Sequence, residues 1–362
     1  MARKKNFHII ETQGWVVRLI LTAVVLLVFF LMFFLGGGLK YFQPAVAIKN
    51  FKELPFEIHF IDVGLGDSIF MRLPNGETML VDCGPNEKNN QVVSYLSDLF
   101  KAEEIDDIDY LVLTHSDADH VGKAVEVFEN FQVNTLYRPR LSCQYEVSIG
   151  KNLNGYREVD TATYNNVIKA AYNEDGCDII YSEAGIKLFD NNFSVEFLSP
   201  NEERYSSYNN YSPMIMVTYD SAKFLLVGDA EGVAEKEVIA LHGDNLKADV
   251  LKVGHHGSST SSSEEFLAKV RPSFAIISTS KDNKFGFPKE DTLARLSAVD
   301  AQIRSTADLG SIVMSVKDGK IVECDKNEKP IFDIPILIVC SCMAIIIIWG
   351  FKIPKKKVSK DK

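Results

Sequence analysis

Thr114-His115-Ser116-Asp117-Ala118-Asp119-His120-Val121-Gly122 follows directly on the apolar run Ile108-Asp109-Tyr110-Leu111-Val112-Leu113. The run reads as a buried strand. Two imidazoles and two carboxylates then fall within residues 115–120, and Gly122 closes the stretch. A loop leaving a strand end turns several short side chains toward one point, and divalent metals from hard to borderline accept such mixed nitrogen and oxygen donors. A solvated acidic turn with incidental histidines would use the same letters. The deciding question is whether other strand ends carry ligand-type residues too.

Two of them do. The strand-like run Lys223 to Val227 ends in Gly228-Asp229-Ala230, and Asp249-Val250-Leu251-Lys252-Val253 delivers Gly254-His255-His256-Gly257-Ser258. Four of the chain's 7 histidines lie in the first and third clusters. Alone, Gly228-Asp229 fits a helix N-cap and the histidine pair fits a surface loop. Three such clusters, each closing an apolar strand, fit a mononuclear or dinuclear metal site better than solvation.

The elements around them set the fold class. Strands are expected at 57–63, 68–73 and 78–82, with Pro74-Asn75-Gly76 as a hairpin turn. A helix at 91–101 precedes the opening strand; a helix at 124–131 and a strand at 133–138 follow it. The stretch 141–176 is polar and rich in Tyr and Asn, with one helix expected at 161–171, and reads as a substrate-facing insertion. Strands at 186–189, 193–198, 214–219 and 223–227 come next. A helix at 231–241, a strand at 249–253, a helix at 264–270, a strand at 274–278, a helix at 290–298 and two closing strands complete the domain. Strand runs followed by strand–helix alternation imply sheets covered by helices on both outer faces.

Both chain ends are apolar. Residues 16–38 hold an uncharged run from Leu19 to Leu35, long enough for the roughly 30 Å hydrocarbon core, after the basic segment 1–15. Arg18 can snorkel toward the headgroups. Ala45-Val46-Ala47 offers the rival reading of a cleaved signal peptide, but it stands far from the apolar core. Residues 334–351 repeat the pattern before the lysine-rich tail 352–362. Basic residues at both ends predict a two-pass protein of the cell membrane, with both termini cytoplasmic and the domain 55–323 extracellular between linkers 39–54 and 324–333. Membrane-protein partners would follow.

Charge narrows the partners. The net charge is −10 over 362 residues; the two ends hold 10 of the 39 basic and 3 of the 49 acidic side chains, leaving 29 against 46, a net of −17, for residues 40–330. A broad basic nucleic-acid surface is therefore not expected, although a local patch or bound metals could hold a phosphate. Cys83, Cys143, Cys177 and Cys324 are too sparse for a disulfide scaffold.

His-x-Asp-x-Asp-His at 115–120, then Gly228-Asp229, then Val253-Gly254-His255-His256-Gly257-Ser258 resembles the metallo-β-lactamase superfamily. More narrowly, the chain is similar to the metallo-β-lactamase-like domain of ComEC-type competence DNA-uptake proteins. That likeness rests also on Ile58-His59-Phe60-Ile61-Asp62-Val63-Gly64-x-Gly66-Asp67-Ser68, Leu80-Val81-Asp82, Leu198-Ser199-Pro200, Asn209-Asn210-Tyr211-Ser212, Leu251-Lys252-Val253 and Asn283-x-Phe285-Gly286. It covers residues 55–323.

The resemblance implies an α/β fold, an αββα four-layer sandwich, with one or two divalent ions (Zn2+ or Mn2+) at one edge. His115 and Asp117 would hold one metal, Asp119 and His120 the second, Asp229 would bridge, and His255 or His256 would complete the second. Asp119 and Asp229 would be catalytic. Asp62, Asp67, Asn210, Ser212, Ser258 and Asn283 would support the ligands or meet substrate, Asp62 and Asp67 by orienting imidazoles. A turn cap is the simpler reading of Asp62 and Asp82. Asp117 stands where the wider superfamily has His, which shifts preference from zinc toward manganese. The usual third-motif His falls near Asn210 and Ser212. Leu65 replaces the usual Gln, Lys123 a Gly, and Phe287 the usual His, the last removing a group that would contact phosphate or donate a proton.

The expected activity is metal-dependent hydrolysis of phosphodiesters. Single-stranded DNA is the substrate that the resemblance implies, and a wall polymer of teichoic-acid or phosphocholine type is the alternative that the acidic surface fits. A catalytically degenerate binding or assembly module is the reading from a different class.

Overall fold

The computed structural model describes residues 20–27, 54–88, 90–153 and 155–324. The chain forms two compact units, one from Ala47 to Lys326 and one from residues 1–46 with 327–362. Of the second unit only the helical stretch 20–27 is described.

The described residues correct an expectation. No helix among the described residues is long and apolar enough to cross a membrane. The remainder of the first expected span and all of 334–351 lie outside the described residues. The structure therefore does not bear out a two-pass membrane protein with an extracellular domain.

In the larger unit, the strands are β1 (Glu57–Phe60), β2 (Ile69–Arg72), β3 (Thr78–Val81), β4 (Asp107–Val112), β5 (Gln132–Arg138), β6 (Leu141–Ser142), β7 (Arg157–Glu158), β8 (Asp178–Tyr181), β9 (Lys187–Leu188), β10 (Phe193–Phe197), β11 (Ile215–Tyr219), β12 (Ala222–Leu226), β13 (Val250–Lys252), β14 (Phe274–Ile277), β15 (Gln302–Ser305), β16 (Ile312–Lys317) and β17 (Lys320–Cys324). One sheet runs β17-β16-β1-β2-β3-β4-β5-β8 and the other β15-β14-β13-β12-β11-β10-β9, while β6 and β7 pair separately. β1 to β3 form an antiparallel meander through Pro74-Asn75-Gly76, as the turn signal requires. β3 pairs parallel to β4, and β12 parallel to β13.

Side-chain alternation sorts the apolar residues into three cores. Ile58, Phe60, Val81 and Val112 of one sheet pack with Phe224, Leu226, Val250 and Ile276 of the other. The opposite face of the first sheet, including Leu80, Ile108 and Leu111, packs on helices Val92–Glu103, Ala124–Asn130 and Ala162–Asn173. The opposite face of the second sheet, including Leu225, Leu251 and Ala275, packs on helices Gly232–His242, Glu264–Val270 and Glu290–Ala298. The two sheets are thus backed by helices on their outer sides.

The stretch 141–176 differs from expectation. Tyr164, Val167, Ile168 and Ala171 of helix Ala162–Asn173 are core residues, so one face of this helix is structural, while much of the rest of the segment is exposed. β8 was not anticipated: its residues are only half-buried or exposed, because it lies at the sheet edge.

Candidate metal centre

Parallel pairing puts the ends of β3 and β4 side by side, and likewise those of β12 and β13. Ligand-type residues leave all four. Asp82 follows β3, His115 follows β4, Asp229 follows β12, and His255-His256 follow β13. Crevices beyond the carboxyl ends of strands are where open α/β sheets place their sites.

His120 lies on the one-turn helix Ala118–Val121, with Asp117 at its N-cap position. Its Nδ1 donates to Asp82 Oδ2 at 2.7 Å. Asp82 is itself held by the Thr114 amide on Oδ1 (2.8 Å) and the Thr114 hydroxyl on Oδ2 (2.7 Å). With Nδ1 committed as donor, His120 presents its Nε2 lone pair. His256 is fixed in the same way, because its Nδ1 donates to the Ser278 carbonyl at 2.9 Å. The two Nε2 atoms lie 3.2 Å apart. Two facing lone pairs repel unless a cation or proton stands between them.

Asp229 faces four imidazoles with its two oxygens. Oδ1 is 3.3 Å from His120 Nε2 and 3.6 Å from His256 Nε2. Oδ2 is 3.9 Å from His115 Nε2 and 3.6 Å from His255 Nε2. Asp119 Oδ2 lies 3.5 Å from His256 Nε2, and Asp117 Oδ2 lies 3.9 Å from His115 Nε2. His115 Nδ1 is 3.0 Å from the Thr114 hydroxyl, which accepts from it, so His115 also turns its Nε2 lone pair inward. Both His255 (φ 50°) and His256 (φ 54°) adopt left-handed backbone. That costs non-glycine residues energy and aims successive rings at opposite oxygens of one carboxylate.

Asp67 reaches the group from the loop between β1 and β2. Its Oδ2 pairs with Lys252 Nζ at 2.9 Å, and its Oδ1 stands 3.7 Å from His256 Nδ1. Gly66 permits the approach: a Cβ there would lie 2.1 Å from the Asp119 carbonyl oxygen, and its φ is +148°.

The remaining expected residues lie around this group. Ser212 Oγ is 3.4 Å from His115 Nδ1 and accepts the Asp229 amide at 3.3 Å. Asn210 Oδ1 accepts the Glu231 amide at 2.9 Å. Ser258 bonds Thr260 at 3.1 Å, next to the histidine loop. Asn283 braces the 280–287 loop, donating to the Phe287 carbonyl at 2.7 Å and accepting the Phe287 amide at 2.8 Å. Asp62 is exposed and caps its own turn through the Gly64 amide at 3.1 Å, away from the imidazoles. Sequence reasoning did not place Asp82, Thr114 or Lys252 in the site. For Asp82 and Lys252 a signal existed, a polar residue ending an apolar strand.

The electrostatics favour positive charge. Burial opposes protonation of His120, but Asp229 and Asp82 raise its pKa well above the ordinary histidine value. Burial likewise opposes His256, and Asp229, Asp119 and Asp67 raise it. His115 goes the other way: burial, then neighbouring His120, lowers it to about 3, leaving a neutral donor. Burial works against ionising Asp229, yet His120 and His256 pull its pKa well down. Asp117 is raised by burial and by Asp119.

One test bears on a metal directly. Asp67 Oδ1, His115 Nε2 and Asp229 Oδ1 are buried and have no hydrogen-bond partner. Such atoms are costly to leave unpaired. One donor atom each from Asp67, His120, Asp229 and His256 lies within 4.8 Å of the others. Opposed donors around one ion at about 2.0–2.2 Å lie about 4.0–4.4 Å apart, so small movements close the set. The residues fit a divalent cation.

This fold and donor set define a class. Residues 61–281 match the Metallo-beta-lactamase superfamily, and the chain belongs to that family, whose fold binds divalent metals. Among curated proteins it is similar to ComE operon protein 3 of Bacillus subtilis (strain 168), with 31% identity over 275 residues covering 72% of this chain and 33% of that protein. It is also similar to Recombination protein 2 of Haemophilus influenzae, with 28% identity over 264 residues covering 73% of this chain and 29% of that protein. The chain thus spans about a third of the length of these relatives. Among solved structures, the metallo-beta-lactamase fold protein YhfI from Bacillus subtilis aligns with 74% of this chain and 99% of its own, at a TM-score of 0.41 and 14% identity. The expected kinship with competence proteins stands.

Proposed function

We propose that the domain is a metal-dependent phosphodiesterase acting on DNA strands. The observation that carries this reading is Asp229, whose two carboxylate oxygens each face two imidazole Nε2 atoms. With that arrangement Asp229 would hold a cation on each of its oxygens. His115, Asp117 and His255 would frame one with Asp229 Oδ2. Asp119, His120 and His256 would frame the other with Asp229 Oδ1, and Asp67 would add a carboxylate. Zinc suits the imidazoles, whereas the carboxylate share favours manganese.

When bound, two such ions lower the pKa of water toward neutrality and neutralise the attacking and leaving oxygens of a phosphodiester. The chain's own residues do the rest. Asp82 and Ser278 hold the His120 and His256 tautomers, so the donor nitrogens are preset. Thr114 holds both Asp82 and His115. Lys252 balances one charge of Asp67 within the wall of the site. Asp119, partly exposed, would accept a proton from an incoming nucleophile; His256 and His120 keep its carboxylate ionised against the effect of burial. DNA as substrate draws support from the competence-protein relatives.

The test uses the full chain loaded with manganese or zinc, assayed on single-stranded DNA and on bis-p-nitrophenyl phosphate. Hydrolysis of both that disappears on chelation is expected. Metal-loaded protein that cleaves neither would refute the reading.

A further inference from the structure

Beyond His255 an aromatic surface runs out of the site. The His255 ring meets Phe287 edge-on, with centroids 5.5 Å apart. Phe287 stacks on Phe285, centroids 5.5 Å apart and planes within 18° of parallel. Phe285 is 47% exposed, so the face of its ring is open to a partner. The loop is braced rather than slack. Asn283 makes two bonds to the Phe287 backbone, and the Lys289 amide donates to the Gly257 carbonyl at 2.9 Å, tying it to the histidine loop.

Two lysines flank these rings. Lys284 Nζ lies 5.0 Å from the Phe285 ring centre, and Lys289 Nζ lies 5.4 Å from that of Phe287. Lys289 also donates to the Phe285 carbonyl at 2.6 Å. Among the described residues neither lysine is in an ion pair, whereas neighbouring Lys281 faces Asp308 at 3.5 Å. Two unneutralised ammonium groups beside stacked aromatic rings, in a strongly acidic domain, are the ingredients with which proteins hold unpaired nucleic-acid strands.

We propose that Phe285 and Phe287 form a stacking shelf for the nucleobase next to the scissile phosphodiester, with Lys284 and Lys289 steering the adjoining phosphates. The exposed Phe285 ring takes the base, and Phe287 relays its position to His255 and so to Asp229. A wall polymer of glycerol phosphate offers no planar ring and leaves the shelf unused. The shelf is therefore the part of the site that selects a nucleic-acid strand. This inference rests on the phosphodiesterase reading above.

Two measurements on the full chain separate the claims. The first is the ratio of kcat/KM for the p-nitrophenyl ester of thymidine monophosphate over ethyl p-nitrophenyl phosphate, two phosphodiesters with the same leaving group. Stacking is worth about 5- to 150-fold per base. The wild-type ratio is expected in that range, Phe285→Ala is expected to lose most of it, and Phe285→Trp to keep it. The second is fluorescence anisotropy of a short oligothymidylate against an abasic strand of equal charge, which needs no turnover. The thymidylate is expected to bind more tightly, and Phe285→Ala to erase the difference. A ratio near one in the wild type, an unchanged ratio in Phe285→Ala, or equal binding of the two strands would overturn the shelf. Absence of hydrolysis of either ester would refute the phosphodiesterase reading, and the anisotropy result would still decide the shelf.

Discussion

Two of the buried charged clusters among the described residues are built on opposite plans. In the first, Arg138 and Glu146 are both fully buried and pair through Nη1 at 2.8 Å and Nη2 at 3.1 Å. Leu141's carbonyl also accepts from Arg138, Tyr172 donates to Glu146 at 3.2 Å, and Tyr164 and Tyr181 lie against the guanidinium. One positive charge meets one negative charge. In the second cluster Asp67, Asp82, Asp119 and Asp229 converge with Lys252 and imidazoles. Here negative charge exceeds the fixed positive charge, and buried acceptors remain open. The difference separates structure from function: the first cluster is balanced in charge and leaves only the donors Arg138 Nε and Tyr164 Oη unpaired, whereas the open acceptors of the second call for an added cation.

Breaking the charge-balanced cluster should cost the most stability. Arg138→Ala leaves Glu146 buried and unpaired, and is expected to destabilise the fold by about 3–5 kcal/mol. Thermal melting checks it, and metal content per folded molecule should not change. Asp82→Asn keeps the shape but weakens the acceptor that orients His120. A loss of about 10- to 100-fold in metal affinity is expected, read by titration with a competing chelator.

The pH response sharpens the contrast. In chelated protein His120 and His256 have raised pKa values, so their charged forms stabilise the fold fully below about pH 6.5, the unfolded value. That contribution is lost as pH rises through the raised folded values. A bound metal needs the same nitrogens deprotonated, so uptake releases protons and strengthens with pH. Melting curves from mildly acidic to mildly alkaline pH should therefore fall for chelated protein and hold or rise for loaded protein. Parallel curves would contradict the cation's role. The smallest effect belongs to Asp62→Ala, expected within about 1 kcal/mol because the lost bond is an exposed turn cap, with metal content unchanged.

The fold was legible where burial imposed a period. β12 is buried on both faces apart from Lys223, and β4 ends in buried Leu111 and Val112, so their apolar runs were plain in sequence. β8 was hidden because Ile180 is exposed at a sheet edge and breaks the pattern. The polar letters of 141–176 concealed a core helix whose apolar residues occupy one face. The three ligand clusters were visible as polar residues closing strands. Their convergence was not, because it depends on which strands lie adjacent. Nor could sequence show that His255 and His256 face different oxygens of Asp229, which follows from two consecutive left-handed residues. Lys252, inside an expected strand, proves to be the counter-charge of Asp67.

The measurement closest to the central claim is the metal content of the purified full chain beside Asp229→Asn and Arg138→Ala, with turnover of bis-p-nitrophenyl phosphate on each. One to two divalent ions per wild-type molecule are expected, kept in folded Arg138→Ala and lost in folded Asp229→Asn together with at least about 100-fold in kcat/KM. Equal metal content and equal turnover in wild type and Asp229→Asn would contradict the account.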